Sequence, residues 1–550
     1  MNNFTIQKVI LLYIILVVPS HIQSLTSPKV TIIIVIDQLA YDSLQMVTPY
    51  LKYGLKKLLL EGVVCTNAHH PHGMPATCTG HTAISTGSYG TEHGIVGNSW
   101  YDGEGNLTAC DTATTQDAAV FAPDGIYDYG KSPHYIMVDG ISDQFMLCST
   151  PTKPHHAYAI SLKSRAAIAT ANRMGIALWF DTQSGMFTSS RAYVQELPVW
   201  LKAFNNTYQV SSPGSVYWRA LYPDNAEAYR FIDSNNYRYV QGHTSLVNSS
   251  IPIGPHLDVT NQYEQFMLTP QANKLVFDCA SSCITAHVHK DKPDHLLLWV
   301  CVSSLDKVGH QFGPHSKEAI DMLYHLDLQI QHFFEHVEAL IDPTHVLYIV
   351  TSDHGISPIV EQLHDRGLSL GRRINGKELV QELNAYLDQR HHYTHLIIGT
   401  KGHQLYLDTK ILHGMSKKKR DTIISDLQEV LASYDGIKKA WTDHELLSIN
   451  APVYSAEYYF RQQLFPGRSG TLIMQVYPYT IIGSHTYGTS HKTPYTHNTH
   501  VPLIWYQQGT IQKKQIHKKV LTVQIAPTLA HILGIPQPSA ATSDILPGIL

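Results

Sequence analysis

The run Val30-Thr-Ile-Ile-Ile-Val-Ile36 limits what this chain can fold into more than any other stretch. Branched side chains on consecutive residues favour extended backbone, and with no polar residue on alternate positions neither face of such a strand can meet water. That pattern belongs to the middle of a parallel sheet covered by helices on both sides. Similar runs follow at Ala157–Leu162, Leu296–Ser303 and Val346–Thr351, with helical spacing between them at Leu51–Glu61, Ala166–Met174 and Ile320–Ile341. The alternation predicts an α/β fold, a mostly parallel central sheet with helices on both faces. At 550 residues the chain exceeds the ~250–300 that one core usually holds, so insertions or a second domain are expected. Two regions read as insertions: residues 191–285 as loop-rich, Tyr- and Asn-rich material near the site mouth, and 365–480 as a small α+β subdomain.

Each apolar run ends in reactive polar residues. Asp37 follows the first, Lys163-Ser164-Arg165 the second, Asp306 and His310 the third, and Asp353-His354-Gly355 the fourth. Open α/β sheets bind ligands beyond the carboxyl ends of their strands. One Asp there is commonly a helix cap, but four such ends form a site. Asp306 and His310 are four apart and share a face if the segment is helical, and Asp353 and His354 are neighbours on a loop. Carboxylate with imidazole and no thiolate suits zinc ahead of manganese or iron. Two sets point to two ions, and ions ~3.5–4 Å apart can serve both the attacking and the leaving oxygen of a phosphoryl transfer. Lys163 and Arg165, read as lying on an extended segment, face the same way and offer a cationic grip on phosphoryl oxygens.

A nucleophile is sought within residues 68–100, where Thr77, Thr79, Thr82, Ser85 and Thr86 precede and line a short helix-like run. Helix starts favour developing negative charge, and a threonine hydroxyl further needs a base or a metal to become reactive.

Lys8 and the apolar run Val9–Val18 read as a secretory signal ending near residue 24, leaving 25–550 as the catalytic domain; a retained anchor is the alternative. No later stretch is long and apolar enough to span a bilayer, so the mature chain is expected without a membrane, secreted or periplasmic. A net charge of −4 gives no footprint for nucleic acid. Of seven cysteines at least one is unpaired within the chain; Cys279 and Cys283 could close a small loop, and Cys78 reads as a packing residue or a reactive thiol. With 34 histidines no single one is evidence, and His69-His70-Pro71-His72 and His391-His392 are expected to be exposed or hydrogen-bonded.

Taken in order, Asp37, Thr77-Cys-Thr-Gly-His81, His93-Gly-Ile-Val-Gly-Asn98, Asp306-Lys-Val-Gly-His310, Asp353-His354-Gly355 and a late histidine resemble the alkaline phosphatase superfamily, in its branch with type I phosphodiesterases and nucleotide pyrophosphatases. Lys163-Ser-Arg165 is similar to the PafA-type bacterial alkaline phosphatases, monoesterases with a threonine nucleophile. The resemblance runs from about residue 30 to the end. It implies an alkaline-phosphatase-like fold and two zinc ions, one held by Asp306, His310 and the late histidine, the other by Asp37, Asp353, His354 and Thr77. Thr77, rather than Thr79, matches the nucleophile because it stands four residues before His81. Asn98, Lys163 and Arg165 would hold the phosphoryl oxygens. His491 fits the late ligand, through the following Pro494-Tyr495 and Thr499-His500-Val501-Pro502, with His485 the alternative; Lys492 stands where relatives usually carry glycine. The implied activity is hydrolysis of small-molecule phosphate monoesters by a monomer, through a phosphothreonine at Thr77. A phosphodiesterase is the second reading and a non-catalytic zinc-binding protein the third.

Overall fold

The computed structural model describes residues 27–114, 116–208, 210, 214–232, 238, 240, 244–253, 263–288 and 294–549; the amino-terminal apolar run read as a secretory signal lies outside them. Fourteen strands matter for the site: β1 (Val30–Ile36), β2 (Val63–His69), β3 (His155–Ser161), β4 (Ile176–Asp181), β5 (Met186–Thr188), β6 (His295–Val302), β7 (Val346–Thr351), β8 (Ile397–Lys401), β9 (Gln404–Leu407), β10 (Ile437–Trp441), β11 (Leu472–Val476), β12 (His500–Tyr506), β13 (Lys514–Ile516) and β14 (Val520–Leu521). Nine of the helices matter here: α1 (Gly54–Glu61), α2 (Thr77–Thr86), α3 (Ser164–Ala171), α4 (Pro270–His287), α5 (Ser304–Phe312), α6 (Lys317–Leu340), α7 (Gly376–His391), α8 (Lys417–Ser433) and α9 (Ile525–Leu533).

The ten-stranded central sheet runs β5-β4-β3-β6-β1-β7-β12-β2-β13, with β14 also paired to β2. Only β5 and β12 run against the others. β1 is buried along its whole length, and its side chains alternate between two cores. Ile32, Ile34 and Ile36 join Leu55 and Leu58 of α1, Val276 of α4 and Leu326 of α6. Ile33 and Val35 join Ala166 and Ala167 of α3 and Leu529 of α9 on the other face. At roughly 1.5–3 kcal/mol for each buried aliphatic side chain, this doubly covered strand anchors the sheet.

α4 covers the end of the region read as loop-rich and runs just beyond it. Its apolar stripe is spaced as a helix requires, but at Ala272, Leu275, Val276, Cys279, Ala280, Cys283 and Ile284 the side chains are largely small ones. Cys279 and Cys283 lie on that stripe as free, buried thiols, packing as small apolar groups rather than bridging. Between β7 and β12 the chain forms a separate four-stranded antiparallel sheet, β8-β9-β11-β10. It is backed by α7 and α8 around its own core of Leu379, Leu383, Leu387, Ile423, Leu427 and Leu431.

Candidate active site

β1, β3, β6 and β7 are parallel neighbours, so their carboxyl ends share one edge of the sheet. β12 is antiparallel to β7, which brings its start, and the loop before it, to the same edge. This topology gathers residues spread over more than 450 positions. Asp37, Asp353 and His354 offer ligand atoms within 4.8 Å of one another, and so do Asp306, His310 and His491. The rings of His354 and His491 stack with centroids 3.7 Å apart, so the two groups adjoin. His485 is not in either group; its carbonyl accepts from Arg373. A further group, His156, His287 and Asp294, lies at the opposite end of β3 and takes no part in the site.

The three imidazoles are held in one tautomer by backbone. Nδ1–H of His310 donates to the Thr489 carbonyl (2.9 Å), that of His354 to Gly355 (2.9 Å) and that of His491 to Pro75 (2.8 Å), leaving each Nε2 lone pair free to ligate. Burial pushes the pKa of His354 and His491 down. Asp306 and His310 share a face of α5, with Oδ1 and Nε2 3.3 Å apart.

The carboxylates are arranged at high electrostatic cost. Burial, with Asp306 and Asp353 close by, raises the Asp37 carboxyl well above the usual range. Burial opposes ionisation of Asp306 too, but Lys163 and His310 outweigh it and hold that carboxyl well below the usual range. For Asp353, His354 and His81 likewise outweigh burial and lower the pKa. The Lys163 ammonium bridges Asp37 Oδ2 (2.6 Å) and Asp306. Among the described residues, Asp37 Oδ1, Asp353 Oδ2 and His354 Nε2 are buried without a hydrogen-bond partner. Three buried carboxylates, three imidazoles whose Nε2 is left to ligate, and orphaned lone pairs are a donor set that fits divalent cations.

Thr77 opens α2 and is 2 % exposed. Extended backbone at Ala76, with its N–H donating to Thr79 Oγ1 (2.9 Å), turns the chain into the helix. Two contacts hold this first turn against the Asp353 loop. His81 Nδ1 lies 2.8 Å from the Thr77 carbonyl and 3.3 Å from Asp353 Oδ2. Gly80 lets the backbones approach: a Cβ there would sit 2.2 Å from the Asp353 carbonyl oxygen. Asn98 is clamped beside Thr77, its Oδ1 accepting from Cys78 N–H (2.8 Å) and its carbonyl from Cys110 N–H (3.0 Å). Cys78 and Cys110 are joined in a disulfide, so Cys78 is neither a loose packing residue nor a free thiol.

Lys163 and Arg165 do not share an extended strand. Lys163 has extended backbone as the cap of α3, whereas Arg165 lies in its first turn. Lys163 is drawn to the carboxylates of Asp37 and Asp306, while Arg165 Nε, among the described residues, is buried without a hydrogen-bond partner. Gln38 went unnoticed in the sequence. With φ of 72° it donates its N–H to Asp353 Oδ1 (3.0 Å) and Nε2 to Asp306 Oδ1 (2.8 Å), tying the two ligand groups together. His70 donates to the Ser352 carbonyl (2.7 Å) and braces the same loop. His72 departs from expectation, being buried with both ring nitrogens unpartnered.

The family of type I phosphodiesterase / nucleotide pyrophosphatase matches residues 31–135 and 168–502. The chain is 28% identical to the alkaline phosphatase PafA of Elizabethkingia meningoseptica, over 94% of this chain and 93% of that one. It is 26% identical to the alkaline phosphatase PhoV of Synechococcus elongatus, over 96% and 94%. A crystal structure of wild-type alkaline phosphatase PafA superposes with a TM-score of 0.83 at 25% identity, covering 95% of this chain and 99% of that one.

Proposed function

From the premise that this chain belongs to the type I phosphodiesterase / nucleotide pyrophosphatase family, we propose that it is a phosphatase: an exported, two-zinc enzyme that hydrolyses phosphate monoesters through a phosphothreonine at Thr77. The observation that carries this reading is the pair of adjacent ligand groups, with orphaned buried lone pairs, packed against the helix start that presents Thr77. Its relatives named alkaline phosphatases support the reaction class. The Cys78–Cys110 disulfide supports an oxidising compartment, and among the described residues no helix is long and apolar enough to cross a membrane.

Asp306, His310 and His491 would hold one ion, and Asp37, Asp353 and His354 the other, with Thr77 as a further ligand. Bound there, zinc supplies Lewis acidity toward the entering and leaving oxygens. The chain's own residues do the rest. Thr77 releases its hydroxyl proton to solvent and attacks phosphorus in line; its oxygen forms the new bond as the ester oxygen departs with its electron pair and takes a proton from water. Apart from the Cys78 N–H, which Asn98 Oδ1 accepts, the N–H groups at the start of α2 favour the developing charge, and the Asn98 amide and Arg165 guanidinium hold non-bridging oxygens. Water then displaces the threonine oxygen and frees phosphate.

Thr77→Ala is expected to abolish phosphate release from p-nitrophenyl phosphate while keeping two equivalents of zinc by metal analysis. Full turnover in that variant would remove Thr77 from its role, and zinc binding without hydrolysis in the wild type would favour the non-catalytic reading. Faster turnover of the bis ester than of the monoester would favour a diesterase.

A further inference from the structure

Away from the active site, His156, His287 and Asp294 offer ligand atoms within 4.8 Å of one another. They come from three elements: His156 is the second residue of β3, His287 the last of α4 and Asp294 the residue before β6. Parallel pairing sets Leu296 opposite His156, so Asp294, two residues earlier, lies at the same end of the sheet. The Asp294 N–H donates to the His287 carbonyl (3.4 Å), which closes the connection between α4 and β6 on itself. Tyr158, on the same face of β3 as His156, sets its hydroxyl 3.2 Å from His287 Nε2 and orients that ring.

His156 Nε2 lies 3.2 Å from Asp294 Oδ2, and the rings of His156 and His287 adjoin with centroids 4.2 Å apart. Zinc held tetrahedrally at ~2.0–2.1 Å keeps neighbouring ligand atoms about 3.3 Å apart, so the spacing of His156 and Asp294 is already that of a tetrahedron's edge. A hydrogen bond between those two alone would not require a second imidazole, braced by a phenol, at the same point. The side chains of His156 and Asp294 are 31% and 27% exposed, which lets water take a fourth position. Two imidazoles and one carboxylate suit zinc, whereas calcium and magnesium take oxygen ligands. About 16 Å of strand separates His156 from Ser161 at the active-site edge, so an ion here is apart from the groups around Thr77.

We propose that His156, His287 and Asp294 form a further cation site, for zinc with water completing its shell, which fastens the end of α4 and the start of β6 to β3. The site serves stability and not the reaction, and it stands whether or not the phosphatase reading does. His156 and Asp294 are 138 positions apart in the chain, so an ion that joins them binds the folded state and not the unfolded one, and raises stability by mass action.

The test compares zinc content, denaturant midpoint and turnover of p-nitrophenyl phosphate in wild type, His156→Gln and Asp294→Asn, each dialysed to equilibrium against the same low concentration of free zinc. Glutamine can still donate to Asp294 and asparagine can still accept from His156, so each variant keeps a hydrogen bond while losing a zinc ligand. Each is expected to hold one equivalent less zinc than the wild type, to keep kcat/KM within twofold, and to show a smaller rise in midpoint when zinc is added. Equal zinc content in all three proteins would overturn the site. A loss of zinc matched by a loss of turnover would place the missing ion at the active site and overturn it too, and an equal rise in midpoint would overturn the fastening role. A wild-type protein that holds the extra equivalent but hydrolyses no ester would overturn the phosphatase reading and leave this site standing.

Discussion

Lys163 and Arg165 stand two positions apart yet face different chemistry. Lys163 joins Asp37 to Asp306, so Lys163→Ala leaves two buried carboxylates without their cation. In chelator-treated protein this is expected to lower unfolding stability by about 3 kcal/mol, read as a shift in denaturant midpoint; an unshifted midpoint would show that the bridge is not formed. Among the described residues, Arg165 has a buried Nε without a hydrogen-bond partner and makes no carboxylate bridge. Arg165→Ala is therefore expected to reduce kcat/KM for a monoester by about 10²-fold, the scale of losing a charge-assisted oxyanion donor, and to reduce diester hydrolysis far less. Equal losses on the two substrates would assign Arg165 to general integrity of the site. The sequence placed both residues at the end of a strand, but the carboxylates that Lys163 meets come from more than 100 positions away.

At the scale of an element, α2 works because its first turn can lie against the Asp353 loop. Gly80→Ala would push a methyl into the Asp353 carbonyl, 2.2 Å from the added carbon, and separate Thr77 from the ligands of the second ion. A misplacement of about 1 Å is worth about 10²-fold in rate, so kcat is expected to fall by that order with circular dichroism unchanged. Wild-type kcat would contradict the close approach. The Cys78–Cys110 bridge closes a loop with a sequence separation of 32, worth about 3–4 kcal/mol by chain entropy. Its loss in Cys78→Ser with Cys110→Ser is expected to appear in the denaturant midpoint and, because Asn98 is clamped by both cysteine N–H groups, as a raised KM. A stability loss with KM unchanged would separate the bridge from substrate binding. Cysteine spacing alone gave no pairing: Cys279 and Cys283 looked closer in sequence but lie on a helix stripe inside the core.

Across the whole molecule, burial of many histidines sets the acid stability. Burial lowers the pKa of His93 and of His403 to about 3, against about 6.5 in the unfolded chain. Between those values the unfolded state binds more protons than the folded one, so stability is full above pH 6.5 and is lost as pH falls toward 3. At pH 5 each of the two is expected to remove about 2 kcal/mol. Denaturant midpoints at pH 7 and 5 test this, and equal midpoints would contradict the burial of these rings. The order of the strands, with β1 between β6 and β7 and β12 reversed beside β7, is likewise a property of the whole. It explains why a ligand loop that precedes its strand meets ligands that follow theirs.

By itself the sequence determined the layered α/β architecture and the residue types at the strand ends, because apolar runs and polar strand ends depend on neighbours in the chain. Only the tertiary structure decided that Gln38 ties the ligand groups together, that Thr489, Gly355 and Pro75 carbonyls set the imidazole tautomers, that Cys78 pairs with Cys110, and that the tip of the β8–β9 hairpin at Gly402 lies beside the Lys492 stem. Those relations join residues by close packing and directed hydrogen bonds across long sequence separations, and no local pattern encodes which groups the folded chain will place side by side.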